Sequence, residues 1–290
     1  MSGSVFSAVL FTVCLAALSA HATRFADSVV AYHPGVGFAT DFTTGVGYTN
    51  TSAVLGSPSV VAPGQFGGPV DPFNPPYLPD QLLSVGAGGS LTVRFATPVQ
   101  NHPANAFGLD FLICGSAGFM ITNGDYTGGG ITDGSLFSHS PGQTRVLVSA
   151  DNVTYYRLDP AQAPTVDGLF PTDGSGDFAQ PVNPALNHSS FAGQGLAGIR
   201  SLYAGSGGGA GYDLSWAVDD RGDSVALPSA SYVRVEVLEG HSEIDAFSVV
   251  PEPAPGILAV VGTGVLWGLQ RRKPGVPPRG SPVRPQDLAI

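Results

Sequence analysis

Along the middle of this chain apolar side chains recur at every second position, and no useful stretch repeats them at three and four. A period of two is strand geometry, because successive side chains of a strand point to opposite faces. Residues 90–95 (Ser-Leu-Thr-Val-Arg-Phe) and 232–238 (Tyr-Val-Arg-Val-Glu-Val-Leu) alternate cleanly, and 109–113 and 243–250 complete the clear set. Residues 145–149 and 154–158 flank Asp151 and Asn152, which tolerate left-handed backbone, so this segment predicts a hairpin. The crossover helices that a parallel α/β sheet needs are missing. Residues 23–250 therefore predict one all-β domain, a β-sandwich whose long loops draw on the 40 Gly and 25 Pro. With 43% hydrophobic residues the chain can bury a core, which excludes wholesale disorder.

Charge narrows the partners. Only 12% of residues are charged and the net charge is −10. Residues 23–250 hold 7 Arg and no Lys against 17 Asp and 3 Glu, a net −13, which argues against nucleic acid.

The two ends read as addresses. Val5 to Leu18 is an apolar run followed by Ser19, Ala20, His21 and Ala22, the build of a signal peptide spanning 1–22, cut by signal peptidase after Ala22. Cys14 leaves with it, so the mature chain keeps one cysteine, Cys114, and no internal disulfide. Flanked by Leu112 and Ile113, Cys114 reads as a small buried hydrophobe. At the other end Pro251, Glu252 and Pro253 lead to an apolar stretch at 257–269 that stops at Arg271, Arg272 and Lys273. Cations of that kind stay on the cytoplasmic side of a membrane. Thirteen residues of helix reach roughly 20 Å against a hydrocarbon slab of about 30 Å, a marginal transmembrane span.

Residues 251–273 resemble the PEP-CTERM sorting signal. That resemblance implies recognition by exosortase, a membrane transpeptidase, and transient anchoring in the inner membrane. It also implies delivery to the outer cell surface or the exopolysaccharide matrix of a Gram-negative bacterium. The 17 residues at 274–290 depart from the pattern, since such chains usually end soon after the basic cluster, and with five prolines they read as a disordered tail. Residues 27–35, 84–91, 108–111, 211–219, 231–234 and 243–246 together resemble exported bacterial β-sandwiches that carry this tail. The 146–155 hairpin is similar to one in discoidin-like, galactose-binding jelly rolls. The resemblance implies a jelly roll without catalytic activity, and it names no ligand.

Candidate site residues follow from chemistry. Aspartate both turns the backbone and offers hard oxygen to Ca²⁺. Period two puts His241, Glu243 and Asp245 on one strand face. Jelly-roll binding modules often hold a structural Ca²⁺ against an Asp in the last strand, which makes Asp245 the first metal candidate, with Glu243 beside it and Asp27 closing the site. The alternative is a solvated acidic strand end. Asp173 with Asp177, and Asp213 with Asp219, Asp220 and Asp223, read as turns or weaker metal candidates. Leu214, Trp216 and Val218 share a strand face, which points Trp216 to the core, while Tyr126, Tyr203 and Tyr212 in glycine-rich loops are candidates for stacking on sugars. No HExxH, GxSxG or lysine-bearing phosphate loop occurs, so the expectation is a non-enzymatic structural or glycan-associating protein. A polysaccharide hydrolase using two aspartates is the alternative.

Overall fold

The alternating segments do form strands, most within a few residues of the expected bounds. The computed structural model describes residues 24–64, 67–138 and 142–253. The expected signal peptide, the apolar segment 257–269, the cluster Arg271, Arg272 and Lys273, and the tail 274–290 lie outside the described residues. No helix among the described residues is long and apolar enough to cross a membrane.

The two main sheets use β1 (Ser28–His33), β2 (Leu83–Gly86), β3 (Ser90–Gln100), β4 (Phe111–Gly115), β5 (Thr144–Ser149), β6 (Tyr156–Leu158), β7 (Ala210–Tyr212), β8 (Ala217–Val218), β9 (Ser229–Val237) and β10 (His241–Val249). One sheet is six-stranded in the order β1-β3-β9-β5-β6-β8, and the other four-stranded in the order β7-β4-β10-β2. Every pairing is antiparallel. The chain passes between sheets at every step except β5 to β6 and β8 to β9, the habit of a jelly roll.

Alternation decides what lies inside. Val93, Phe95, Val146, Val148, Val233 and Val235 of the first sheet pack in one cluster with Leu83, Val85, Phe111, Ile113, Ile244 and Phe247 of the second. Each such side chain contributes about 1.5–3 kcal/mol by leaving water, so this shared core is what holds the sandwich shut. Cys114 belongs to β4 and is fully buried, and burial pushes its thiol far up, as a small hydrophobe requires.

Three local readings need revision. The 150–155 connection is longer than a two-residue turn, because the β5–β6 ladder begins only at Val148 and Tyr156. Asn152 does take left-handed backbone (φ 63°), and Asp151 accepts from the amides of Val153 and Thr154. Leu214–Trp216 is a 3₁₀ turn capped by Asp213, not a strand; Leu214 is buried and Trp216 only packs against the core edge. The connection from β6 to β7 is not merely loop: it contains the short helices α1 (His188–Phe191) and α2 (Leu196–Tyr203). Ile199 and Tyr203, four residues apart on α2, meet Phe119, Val182 and Phe191 in a second small core.

Candidate functional site

The site begins with loops stiffened by their own side chains. Asp41 accepts from the amides of Thr43 and Thr44, and Asp71 from those of Phe73 and Asn74. Pro75 and Pro76 then fix the approach to Tyr77. These two loops, with Phe137 and Ser138, wall a cleft of about 430 Å³ lined by Phe42, Tyr48, Phe73, Tyr77 and Phe137, with Glu243 of β10 at its floor. Phe42 is 69% exposed, and its ring lies 5.7 Å from that of Tyr77 at 44°. The Tyr77 hydroxyl donates to the Pro63 carbonyl (3.0 Å), and the buried Tyr48 hydroxyl donates to the Tyr77 carbonyl (2.6 Å). The ring of Tyr77 is therefore held at both ends of its residue.

Glu243 is clamped in place. Its Oε2 accepts from Ser116 Oγ at 2.5 Å and from Ser138 Oγ at 3.5 Å, and its Oε1 faces His241 Nε2 at 3.5 Å. The hydrogen bond to Glu243 raises the His241 pKa above its ordinary value. Behind the cleft lies Asp167, whose two oxygens accept from the backbone amides of Ala117 (2.9 Å) and Glu243 (3.2 Å). Burial, and then the charge of Glu243, hold the Asp167 carboxyl well above the usual range. Gly115 makes room for this carboxyl: a Cβ there would collide with Asp167 Oδ1.

A second cleft of about 400 Å³ shares Phe73 and Asn74 with the first and extends to Asp71, Asp125 and Tyr126. Tyr126 is 75% exposed there. The two together offer exposed aromatic faces beside a fixed acceptor carboxylate. Such a groove suits a ligand with apolar faces and hydroxyl donors.

The other candidates are dispersed. Tyr203 and Tyr212 are core residues: Tyr203 donates to the Pro171 carbonyl (2.7 Å), and Tyr212 stacks on Phe111 at 5.2 Å and donates to the Pro164 carbonyl. Glycine-rich flanks suggested exposure, but α2 and β7 turn both rings inward. Asp27, Glu243 and Asp245 are not gathered into one donor set. Asp27 is exposed and accepts from Ser28 Oγ, while Asp245 is buried and accepts both the amide and the hydroxyl of Ser59 at 2.8 Å. The register of β10 against β4 shifts between Ile244 and Ala246, so strict alternation fails at Asp245. Among the described residues no group of three or more His, Cys, Asp or Glu is placed to hold a metal. Asp173, Asp177, Asp213 and Asp219 accept backbone amides two residues on, as turn residues do, and Asp173 also holds Arg200 at 2.7 and 3.0 Å. Pro251, Glu252 and Pro253 are exposed and leave directly from the end of β10.

Phe42, Phe73, Tyr77 and Phe137 were missed from sequence. The one signal was Asn74-Pro75-Pro76-Tyr77, a loop too rigid to collapse its aromatic into the core.

No protein-family model matches this chain, and no curated protein does. Among solved structures it is similar to a pectin binding carbohydrate binding module, at 8% identity, covering 60% of this chain and 73% of that one with a TM-score of 0.22. It is also similar to CBM32-3 from a family 31 glycoside hydrolase from Clostridium perfringens, at 11% identity, covering 59% and 75% with a TM-score of 0.21. Superpositions this loose transfer neither residues nor ligands, and the assignment of the sandwich stands on its own sheets and core.

Proposed function

We propose that this protein is an exported, non-catalytic glycan-binding β-sandwich that works at the outer cell surface or in the exopolysaccharide matrix of a Gram-negative bacterium. The cleft over Glu243 carries this reading. Phe42, Phe73, Tyr77 and Phe137 supply ring faces for the apolar side of a sugar, and Glu243 accepts hydrogen bonds from its hydroxyls. The adjoining cleft, with Tyr126, extends the groove to a chain of several sugars. Signal peptidase would act after Ala22. Exosortase would act near Pro251, Glu252 and Pro253, which the last strand presents in the open.

Hydrolysis is the weaker reading on geometric grounds. A glycosidase needs two carboxyls facing the scissile bond. Among the described residues Glu243 is the sole carboxylate lining the first cleft, and both oxygens of the neighbouring Asp167 are spent on backbone amides. Incubating the protein with an array of neutral oligosaccharides tests both readings. The expected result is retention of at least one glycan with no release of reducing ends. Turnover abolished by Asp→Asn replacement would overturn it.

A further inference from the structure

A basic surface lies on the outer face of the six-stranded sheet. Because the inner face takes Val93, Val233, Val235, Val146 and Val148, the alternate positions point outward. Four successive strands, β3, β9, β5 and β6, each place one arginine there: Arg94, Arg234, Arg145 and Arg157. The register confirms a common face. Arg94 pairs with Tyr232, two residues from Arg234, and Leu147 pairs with both Arg234 and Arg157 while lying two residues from Arg145. In a domain with 7 Arg against 20 acids, four on one face is a strong segregation of charge.

The ladder explains a depression at one end of this row. β5 and β6 pair only at Val148–Tyr156 and Leu147–Arg157, although β5 runs back to Thr144. Where they part, a cleft of about 490 Å³ opens, lined by Thr144, Arg145, Arg157, Pro160, Pro164 and Leu238, with no carboxylate in its lining among the described residues. Arg157 Nε is buried and has no hydrogen-bond partner, a state that asks for an acceptor. Arg145 is exposed, and among the described residues neither arginine has an ion pair, although Glu236 stands opposite Arg145 in the register. Arg234 is already pinned, with its guanidinium 3.8 Å over the Tyr155 ring and its Nε donating to Thr92.

The geometry points to a site for an acidic polysaccharide, separate from the aromatic cleft, whose carboxylate or sulfate groups seat on Arg145 and Arg157 and continue across the sheet toward Arg94. Adjacent strands lie about 4.8 Å apart, so the four arginines form a row roughly 14 Å long, suited to a polymer with repeated anions and not to one small ion.

Dextran, carboxymethyl-dextran and dextran sulfate of one chain length isolate the charge from the sugar. Full-length protein should bind the two charged polymers at low salt at least tenfold more tightly than dextran, with the preference fading as salt rises. R145Q/R157Q should lose the preference. R145E, altered only at an exposed position, should lose most of it while keeping the parent circular dichroism. R221Q, which removes an exposed loop charge, should behave as the parent. Equal binding of all three dextrans, an unchanged preference in well-folded R145E, or tighter binding of single-stranded DNA than of either charged dextran would overturn the proposal.

Discussion

Asp245 shows how much one residue's surroundings decide. It lies in the last strand at 2% exposure, where Ser59 serves both of its oxygens. Burial raises its pKa to about 7, against the pull of those two hydrogen bonds. An acid that holds its proton more tightly when folded loses stability as pH climbs from the unfolded value toward the folded one. Asp167 shifts the same way for the same reason. His241, raised by its bond to Glu243, contributes stability below its ordinary pKa that is likewise lost as pH rises. All three signs agree between pH 5 and pH 8. Melting followed by circular dichroism should show a Tm at pH 8 on the order of 5 °C below that at pH 5, and D245N should flatten the slope. A Tm that is level or climbs across this window would contradict the assignment. Sequence could not show this: Asp245 reads as the first Ca²⁺ candidate, or as a solvated acidic strand end, until the register shift beside it is known.

At the scale of elements, the strands were legible and the long connections were not. Period two marked β3, β5 and β9 because alternate side chains of each enter a common core, whereas β10 is buried on both faces and its register shifts. The helix α2 escaped notice because its eight residues carry only two fully buried side chains, Ile199 and Tyr203, too few to show a period. The 214–218 segment alternates like a strand, yet Asp213 caps a 3₁₀ turn there, and local hydrogen bonding outweighed the pattern. The candidate cleft was legible only in fragments. Tyr126 and Glu243 came from residue chemistry, whereas Phe42, Tyr77 and Phe137 come together from loops distant in sequence.

The described residues form a packed sandwich, and the proposed sorting signals flank it. Because Pro251 and Glu252 emerge exposed from the final strand, a protease would reach them without unfolding β10. Intact-mass spectrometry of surface material should find the protein shortened near residue 253, and surface protein that retains Arg271, Arg272 and Lys273 would refute the sorting proposal. The sandwich presents two unlike faces to what lies outside: aromatic loops over Glu243, and a row of arginines on a chain of net charge −10. The first of these carries the account. Calorimetric titration of the glycan retained most strongly by the native protein, repeated with Phe42→Ala, tests it most directly. Phe42 is 69% exposed, so its loss should leave the fold and Tm unchanged while weakening binding at least tenfold, about 1.4 kcal/mol. Undiminished affinity in a folded F42A protein would place the glycan elsewhere and contradict the account.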